Sequence, residues 1–243
     1  MGILPVPRRH AARHVLWRPQ VRIPLTRYAT QEVLLFGGLG LVVTAVVAAV
    51  PVRWVWPLAA IPLLLTVWVM WFFRDPSRRV PTGDRLLLAP ADGRVTHVET
   101  IEAPDELGTG GSALRVSIFL SILDCHLNRA PCAGRVDRVL HRPGRFLNAM
   151  KAASARENEQ TILVLRPDVV AVPVLVRQVA GAIARRIVCE VREGDRLAAG
   201  QKFGMIKFGS RTDLVVPTEA PVDVRVKVGD KVKAGLTVLG HFR

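Results

Sequence analysis

Two long apolar runs dominate the first third of the chain. Residues 33–52 carry no charge, and after the single Arg53 a second run covers 54–73, so each run is 20 residues long. A helix of that length reaches about 30 Å, the thickness of the hydrocarbon core of a bilayer. A secretory signal has a shorter apolar core and a shorter leader than the 32 residues found here. The pattern therefore predicts a membrane hairpin of helices 33–52 and 54–73.

From residue 80 onward the pattern changes to short apolar, β-branched runs separated by Gly, Pro and Asp. Such runs are typical of strands, so 80–243 is predicted to be one β-rich domain of a mainly β (α+β) fold. The predicted strands cover 94–100, 113–120, 134–140, 160–165, 169–180 and 186–191. A stretch at 148–156 that is rich in Ala, Met and Lys predicts one short helix.

A weak internal repeat lies in the second half of this domain. Residues 191–200 (VREGDRLAAG) recur in shortened form at 228–235 (VGDKVKAG), and 90–95 resembles the turn that opens them. In each copy a Gly-Asp turn precedes an apolar residue that enters the core, and a second Gly turns the chain into the next strand. These signatures resemble barrel-sandwich domains of the lipoyl type, in which two quasi-symmetric halves build a flattened barrel.

Charge adds a prediction about partners. Lys and Arg number 34 against 20 Asp and Glu, a net charge of +14, and ten of the basic residues but only two acidic ones precede residue 80. The basic tail 1–32 and the residues after the second run thus flank the apolar hairpin. This distribution predicts contact with an anionic membrane and no nucleic acid. By the positive-inside rule, the protein lies in the cell membrane with its β domain on the cytoplasmic side.

Residues with catalytic potential are few, and each has a structural explanation too. Ser210 follows Gly209 between the repeat copies, but Gly-Ser is a common turn and occurs again at 111–112. His126 follows an apolar strand, and Asp92 lies in an Ala-Asp-Gly turn. The three cysteines form no C-x-x-C pair, and no metal-ligand spacing is present, so no metal is predicted.

Taken in order, the motifs resemble those of the phosphatidylserine decarboxylase proenzyme family, in its short, membrane-anchored bacterial form. The likeness covers the chain from near residue 30 to its end. Its parts, after the hairpin, are FFRDP at 72–76, PADG at 90–93, DCHLNRAP at 124–131, PGRFLN at 143–148, NE at 158–159 and FGSR at 208–211.

The resemblance implies an enzyme that decarboxylates phosphatidylserine to phosphatidylethanolamine and CO₂. It implies autocatalytic serinolysis between Gly209 and Ser210, which leaves a β chain of 1–209 and an α chain of 210–243. Ser210 would become a pyruvoyl group that forms a Schiff base with the substrate, so the cofactor is self-generated and no metal is needed. The two chains would remain together as a heterodimer, alone or in a higher oligomer.

The resemblance also implies roles for four further residues. The family activates its serine with an Asp-His pair; the matching aspartate is Asp92, and His126 is the best-placed histidine. Long members carry a second histidine where this sequence has Arg129, so His126 is the first candidate base and His141 the second. Arg129 and Arg211 are candidates for binding the substrate's carboxylate or phosphate.

Other interpretations of the same motifs stay open at this point. A membrane-fusion adaptor or a lipoyl carrier would share the anchored barrel-sandwich domain without catalysis. An adaptor keeps its β domain outside the cytoplasm, which the arginine flanks do not predict. A carrier presents a modified lysine, but Lys207 is followed by Phe-Gly-Ser. A pyruvoyl decarboxylase for a soluble amino acid would have no use for two membrane spans.

Overall fold

The computed structural model describes residues 25–150, 154–182, 186–207 and 209–243, so most of the predicted basic tail lies outside the described residues. The helices are α1 (Thr30–Ala49), α2 (Ala60–Phe72) and the one-turn α3 (Ser154–Glu157), with 3-10 turns at Arg27–Ala29, Arg53–Ala59 and Asp105–Leu107. The first strands are β1 (Leu86–Leu88), β2 (Gly93–Glu102), β3 (Ser112–Leu120), β4 (Leu127–Arg129), β5 (Gly134–Arg142), β6 (Gln160–Pro167) and β7 (Val174–Val179). The remaining strands are β8 (Arg186–Cys189), β9 (Arg196–Leu197), β10 (Lys202–Lys207), β11 (Ser210–Pro217), β12 (Val222–Val224), β13 (Lys231–Val232) and β14 (Val238–Phe242).

The two apolar runs form a helical hairpin. Helix α1 begins at Thr30, and Pro57 lies in the 3-10 turn that precedes α2, where its missing N–H breaks no α-helical hydrogen bond. The helices pack closely at Gly40, because a Cβ there would overlap the Thr66 side chain. Both helical segments are long and apolar enough to cross a membrane by length and composition, and only 6% and 11% of their apolar windows are buried in protein.

The base of the hairpin is fastened to the β domain. The Thr26 N–H donates to the Phe73 carbonyl at 2.8 Å, and the Arg74 guanidinium donates to the Leu123 carbonyl at 2.8 Å. A separate buried cluster joins the helix ends to β4 and β10; its members are Tyr28, Ala29, Phe72, Phe73, Cys125, Leu127 and Met205. The hairpin and the β domain therefore share a buried interface.

The β domain is built on an eight-stranded antiparallel sheet. Its strand order is β13-β2-β3-β11-β7-β6-β5-β9, and two three-stranded sheets, β1-β14-β12 and β4-β10-β8, accompany it. Every residue of β7 and of β11 is buried, including the polar residues at the start of β11, Ser210 to Asp213. The largest core side chains include Leu87, Ile118, Leu120, Leu163, Leu165, Phe203 and Leu214.

The internal repeat occupies equivalent positions at the two edges of this sheet. In one copy the Gly194 N–H donates to the Val136 carbonyl at 2.9 Å, and the Val136 N–H donates to the Asp195 carbonyl at 2.8 Å. In the other copy Gly229 and Asp230 make the same two bonds with Val95, both between 2.8 and 2.9 Å. The residues after each turn form β9 and β13, the two edge strands. The lipoyl-like barrel-sandwich form stays a prediction.

Several predicted elements differ in extent from the observed ones. The second apolar run, predicted as a helix over 54–73, is a 3-10 turn to Ala59 and an α-helix only from Ala60 to Phe72. Residues 148–150 are not helical, and in the described part of 148–156 only α3 is. The Asn158 side chain bonds both the N–H and the carbonyl of Leu147, at 2.9 and 2.8 Å, which fixes the preceding segment outside a helix. The strand predicted from 169 begins only at Val174, directly after Pro173, because proline cannot donate to a ladder.

Candidate active site

Ser210 is the first residue of β11, between β3 and β7. It is fully buried, and its Oγ has no hydrogen-bond partner among the described residues. Leaving a buried hydroxyl unpaired costs about 1–3 kcal/mol, so native proteins rarely do so without a functional reason. The serine is therefore available for chemistry in a way that a turn-forming serine is not.

Gly209 presents the peptide bond that precedes this serine. Its φ of +63° lies in the left-handed region, which favours glycine. Its carbonyl oxygen packs against Gly181, where a Cβ would overlap it. A pocket of about 170 Å³ opens beside the bond and is lined by Phe119, Leu120, Ile122, Asn148, Ala149, Ala182 and Gly209. A ligand in this pocket would contact the Gly209–Ser210 junction.

His126 contacts the same junction. Its Nε2 accepts the Gly209 N–H at 3.1 Å, and its Nδ1 lies 2.9 Å from the Asp124 carbonyl. A carbonyl can only accept, so the ring proton sits on Nδ1. Burial lowers the pKa of His126 to about 4, against the opposing effects of the Asp124 carbonyl and of the negative charges of Asp124 and Asp92. At neutral pH His126 is thus an uncharged imidazole with its Nε2 lone pair directed at Gly209.

Phe72, the last residue of α2, completes the surroundings of this histidine. Its ring centroid lies 4.4 Å from that of His126 with the planes tilted by 37°, and both residues are fully buried. The sequence analysis did not assign Phe72 a role. The available signal was its place in the FFRDP motif, where the apolar run ends.

Asp92 is not joined to His126 by a hydrogen bond in the described part of the chain. Its two carboxylate oxygens accept from the Arg78 guanidinium at 2.5 and 2.7 Å, and Oδ1 also accepts the Ala234 N–H at 2.8 Å. The predicted Asp-His pair is therefore not a direct contact. Asp92 instead ties the segment after α2 to the turn that follows β13.

The two arginines predicted to bind substrate are buried and bonded within the protein. Arg129 donates to the Gly200 carbonyl at 3.0 Å. Arg211 lies 2.9 Å from Asp213 and donates at 3.2 Å to the carbonyl of Ala149, a pocket residue. A substrate role for either arginine stays a prediction. The other histidine, His141, lies on β5 with 55% of its side chain exposed, 3.2 Å from the Thr161 Oγ1.

A buried amide network holds the strands around Ser210. Asn128 on β4 donates to the Thr212 hydroxyl at 3.0 Å and accepts from Gln178 on β7 at 2.9 Å. Asn158 donates to the Ala180 carbonyl at 2.7 Å. Asn128 and Asn158 belong to motifs noted in the sequence, whereas nothing in the sequence pattern distinguished Gln178. Within the described ranges, no group of three or more His, Cys, Asp or Glu residues could hold a metal ion.

Fold and site together define a β domain with a membrane-type hairpin and one distinctive Gly-Ser bond. The serine hydroxyl of this bond has no hydrogen-bond partner among the described residues, and the glycine N–H donates to a neutral histidine. The model of the phosphatidylserine decarboxylase family matches residues 65–240. The phosphatidylserine decarboxylase proenzyme of Rhodopirellula baltica is 41% identical over 230 residues, which cover 94% of this chain and 91% of that protein. The chain belongs to the phosphatidylserine decarboxylase family, so it is a decarboxylase of phospholipid metabolism.

Proposed function

We propose that the chain converts phosphatidylserine to phosphatidylethanolamine and CO₂, using a pyruvoyl group made from its own Ser210. The observation that carries this proposal is the fully buried Ser210 Oγ, without a hydrogen-bond partner among the described residues, next to a left-handed Gly209. Family membership supports the substrate class. Cleavage would leave a β chain of 1–209 and an α chain of 210–243. They would stay together, since β11 of the α chain pairs with β3 and β7 of the β chain.

Self-cleavage proceeds in two stages. Ser210 Oγ attacks the Gly209 carbonyl carbon, the C–N bond breaks, and an ester with a free Ser210 amine results. The hydroxyl proton passes through a base to that amine. The base then removes the Ser210 Cα proton, and the Gly209 carboxylate leaves. Water adds to the resulting dehydroalanine after tautomerisation, ammonia departs, and the pyruvoyl group remains.

His126 is the base that the geometry favours. Its Nε2 lies 3.1 Å from the nitrogen of Gly209, one residue from the nucleophile. A base must be unprotonated to act, and a pKa of about 4 keeps His126 in that form near neutral pH. The same low pKa means that His126 can serve as an acid only by returning a proton it has just accepted. It therefore suits a cycle in which one group removes and then redelivers a proton.

The remaining roles concern orientation and supply of substrate. Asp92 holds the segment around Arg78 against the Ala234 turn and acts on His126 through its charge at longer range. When formed, the pyruvoyl group supplies an electrophilic carbonyl conjugated with an amide, which withdraws electrons as CO₂ leaves. The pocket beside Gly209 would receive the headgroup.

The hairpin would place this site next to its lipid. The exposed apolar surfaces of α1 and α2, with Leu34 71% and Leu64 66% exposed, suit burial in a bilayer. Arginines at both ends of the hairpin support an anionic membrane surface and a cytoplasmic β domain. Anchoring the enzyme beside its substrate raises the effective concentration of that substrate.

The experiment that tests the proposal is intact mass measurement on the full chain in detergent, followed by an assay on phosphatidylserine vesicles. The wild type should separate into a chain ending at Gly209 and a small chain with a blocked, pyruvoyl-sized N-terminus, and it should release CO₂. Ser210→Ala should stay whole and inactive. A folded wild type that remains intact at 26.7 kDa would overturn the pyruvoyl mechanism.

A further inference from the structure

An ion pair joins the first apolar helix to the ends of strands β8 and β10. Glu32 lies in the first turn of α1, and its Oε1 is 2.5 Å from the Lys207 Nζ and 3.7 Å from the Arg186 guanidinium. Lys207 and Arg186 face each other as partners in the antiparallel pair of β10 and β8. One carboxylate on the hairpin thus contacts the ends of two neighbouring strands.

Both strand ends are close in sequence to residues that line the pocket. Strand β10 ends at Lys207, two residues before Gly209. Strand β8 begins at Arg186, four residues after Ala182, which lines the pocket together with Gly209. We expect a shift of either strand end to be passed along the chain to Gly209 or Ala182, whereas Ser210 is held by its pairing with Leu120 of β3.

The Glu32–Lys207 pair is far more buried than the Arg27–Glu190 pair at the same interface. Only 5% of the Lys207 side chain and 20% of the Glu32 side chain are exposed. A buried ammonium without a partner is strongly destabilising, so the strand end keeps its geometry only with the carboxylate in place. A carboxylate in the first turn of a helix is also favoured by the helix dipole. The Arg27–Glu190 pair at the same interface is 76% and 41% exposed and restrains its strand less.

We propose that Glu32 is a positioning residue for self-cleavage. Through Lys207 and Arg186 it holds the Gly209 carbonyl within reach of the Ser210 Oγ, so that docking of the hairpin base onto the β domain is a condition for maturation. The inference rests on the proposed function, because it assumes that the chain cuts itself. It gives Glu32, a residue of the first hairpin helix, a part in self-cleavage.

The test measures the rate at which the 210–243 chain appears in full-length protein in detergent. Glu32→Gln keeps the shape of the side chain and should slow the cut at least about tenfold, since small misplacements of reacting groups cost about a hundredfold. Lys207→Gln should slow it similarly, and the double variant should be no slower than either single one, because both remove the same contact. Glu32→Asp keeps the charge and should recover part of the rate. The matched control, Glu190→Gln, removes the exposed ion pair at the same interface and should cut at the wild-type rate.

Two further measurements distinguish a loss of positioning from a loss of folding and from a loss of the catalytic base. The same substitutions in a Ser210→Ala background, which stays uncut, show by their urea midpoints that the variants are folded under the conditions of the rate measurement. Hydroxylamine cleaves the ester, so it should release the small chain from a variant that forms the ester but cannot eliminate. Since Glu32 acts before the ester forms, hydroxylamine should not restore the cut in Glu32→Gln.

The outcomes distinguish the two proposals. A folded Glu32→Gln variant that cuts at the wild-type rate would overturn the positioning role and leave the proposed function intact. Equal slowing in Glu32→Gln and Glu190→Gln would overturn the specific role of Glu32, because any weakening of this interface would then slow the cut. A wild type that never cuts would remove the proposed function itself.

Discussion

The chain contains the same dipeptide twice, at 111–112 and at 209–210, and in both places it starts a strand. Gly111 and Gly209 have nearly identical left-handed φ values of +69° and +63°. Ser112 begins β3 and Ser210 begins β11, and these two strands are neighbours in the main sheet. Because they run antiparallel, with Ser210 opposite Leu120, the two serines lie at opposite ends of one strand pair.

The surroundings of the two serines differ completely. Ser112 is exposed, and its hydroxyl lies 2.8 Å from that of Thr218. Ser210 is fully buried, its hydroxyl has no hydrogen-bond partner among the described residues, and His126 contacts the residue before it. Local backbone geometry is therefore not what singles out Ser210. The difference comes from burial at the end of the strand pair that adjoins the hairpin base.

The largest expected effect separates the two serines directly. Ser210→Ala should abolish the cut, because no nucleophile remains, whereas Ser112→Ala should cut at the wild-type rate. Intact mass of both variants, purified in parallel, measures this. A fragment that begins at residue 112 in any variant would show that the exposed Gly111–Ser112 bond is cut too. That result would contradict the proposed difference between the two serines.

The next largest effect concerns the histidine. His126→Ala should slow the cut by roughly 10² to 10⁴-fold, the usual contribution of a positioned base. His141→Ala is the matched control, since His141 is more than half exposed and contacts Thr161, and it should leave the rate unchanged. The time course of the 210–243 chain on a denaturing gel measures both. Normal maturation of His126→Ala would disprove the assignment of the base.

Alanine at the two glycines gives a smaller and more selective effect. A Cβ at Gly111 would meet nothing within 4 Å, and one at Gly209 would meet only Ile122, at 4.0 Å, so both sites have room. The left-handed conformation should cost each variant a similar 1–2 kcal/mol or so of unfolding free energy. Only Gly209→Ala should slow the cut, about tenfold, because relaxing the strained turn displaces the attacked carbonyl.

Urea unfolding of both alanine variants in a Ser210→Ala background checks that the stability losses match. The rate comparison is made with Ser210 present. Equal rates for the Gly209 and Gly111 variants would show that the turn before Ser210 has no special part in the cut.

The smallest expected effect is on pH dependence. With a pKa of about 4, His126 stays neutral from pH 7.5 to 5.5, and the rate of the cut should change by less than about twofold if proton uptake by His126 alone controls it. A histidine of ordinary pKa, about 6.5, would lose about tenfold of its neutral form at pH 5.5. Rates from stopped samples at each pH distinguish the two cases, and a tenfold fall would contradict the buried environment of His126.

The same pKa has a consequence for stability with a defined sign. The folded pKa lies below the unfolded value of 6.5, so between about pH 6.5 and 4 the unfolded chain binds more protons at this residue. The contribution of His126 to the free energy of unfolding is therefore full above pH 6.5 and is lost as the pH falls toward 4. Urea midpoints of the uncut Ser210→Ala protein, with and without His126→Ala, isolate this contribution.

Several parts of the fold could be predicted from the sequence because their signals are local. The hairpin follows from two apolar runs of bilayer length, although α1 begins three residues before the predicted run. Strands β2, β3, β5 and β6 lie within two residues of their predicted bounds, because Gly and Pro mark their ends. The helix predicted at 148–156 is not formed at its start. The local helix propensity there is overridden by a tertiary contact, because the Asn158 side chain bonds the backbone of Leu147.

The residues of the candidate site also fall into two groups, those that sequence motifs identified and those whose contacts only the tertiary structure shows. Motif order alone identified Gly209, Ser210 and His126, and the structure brings these three together. The bond of Asp92 to Arg78 was not predicted, because it depends on how the segment after α2 packs against the repeat turn. Phe72 and Glu32 were passed over, since both read simply as parts of an apolar helix and its first turn.

By itself the sequence determined the family, the hairpin, most strand positions and the bond that we propose is cut, because length, periodicity and ordered motifs are properties of neighbouring residues. Only the tertiary structure decided which of two identical Gly-Ser turns is buried and which titratable groups meet. His126 and Gly209 are 83 residues apart in sequence, and Glu32 and Lys207 are 175 apart. Contacts across such distances depend on strand register and on how the hairpin docks, and no local pattern records either.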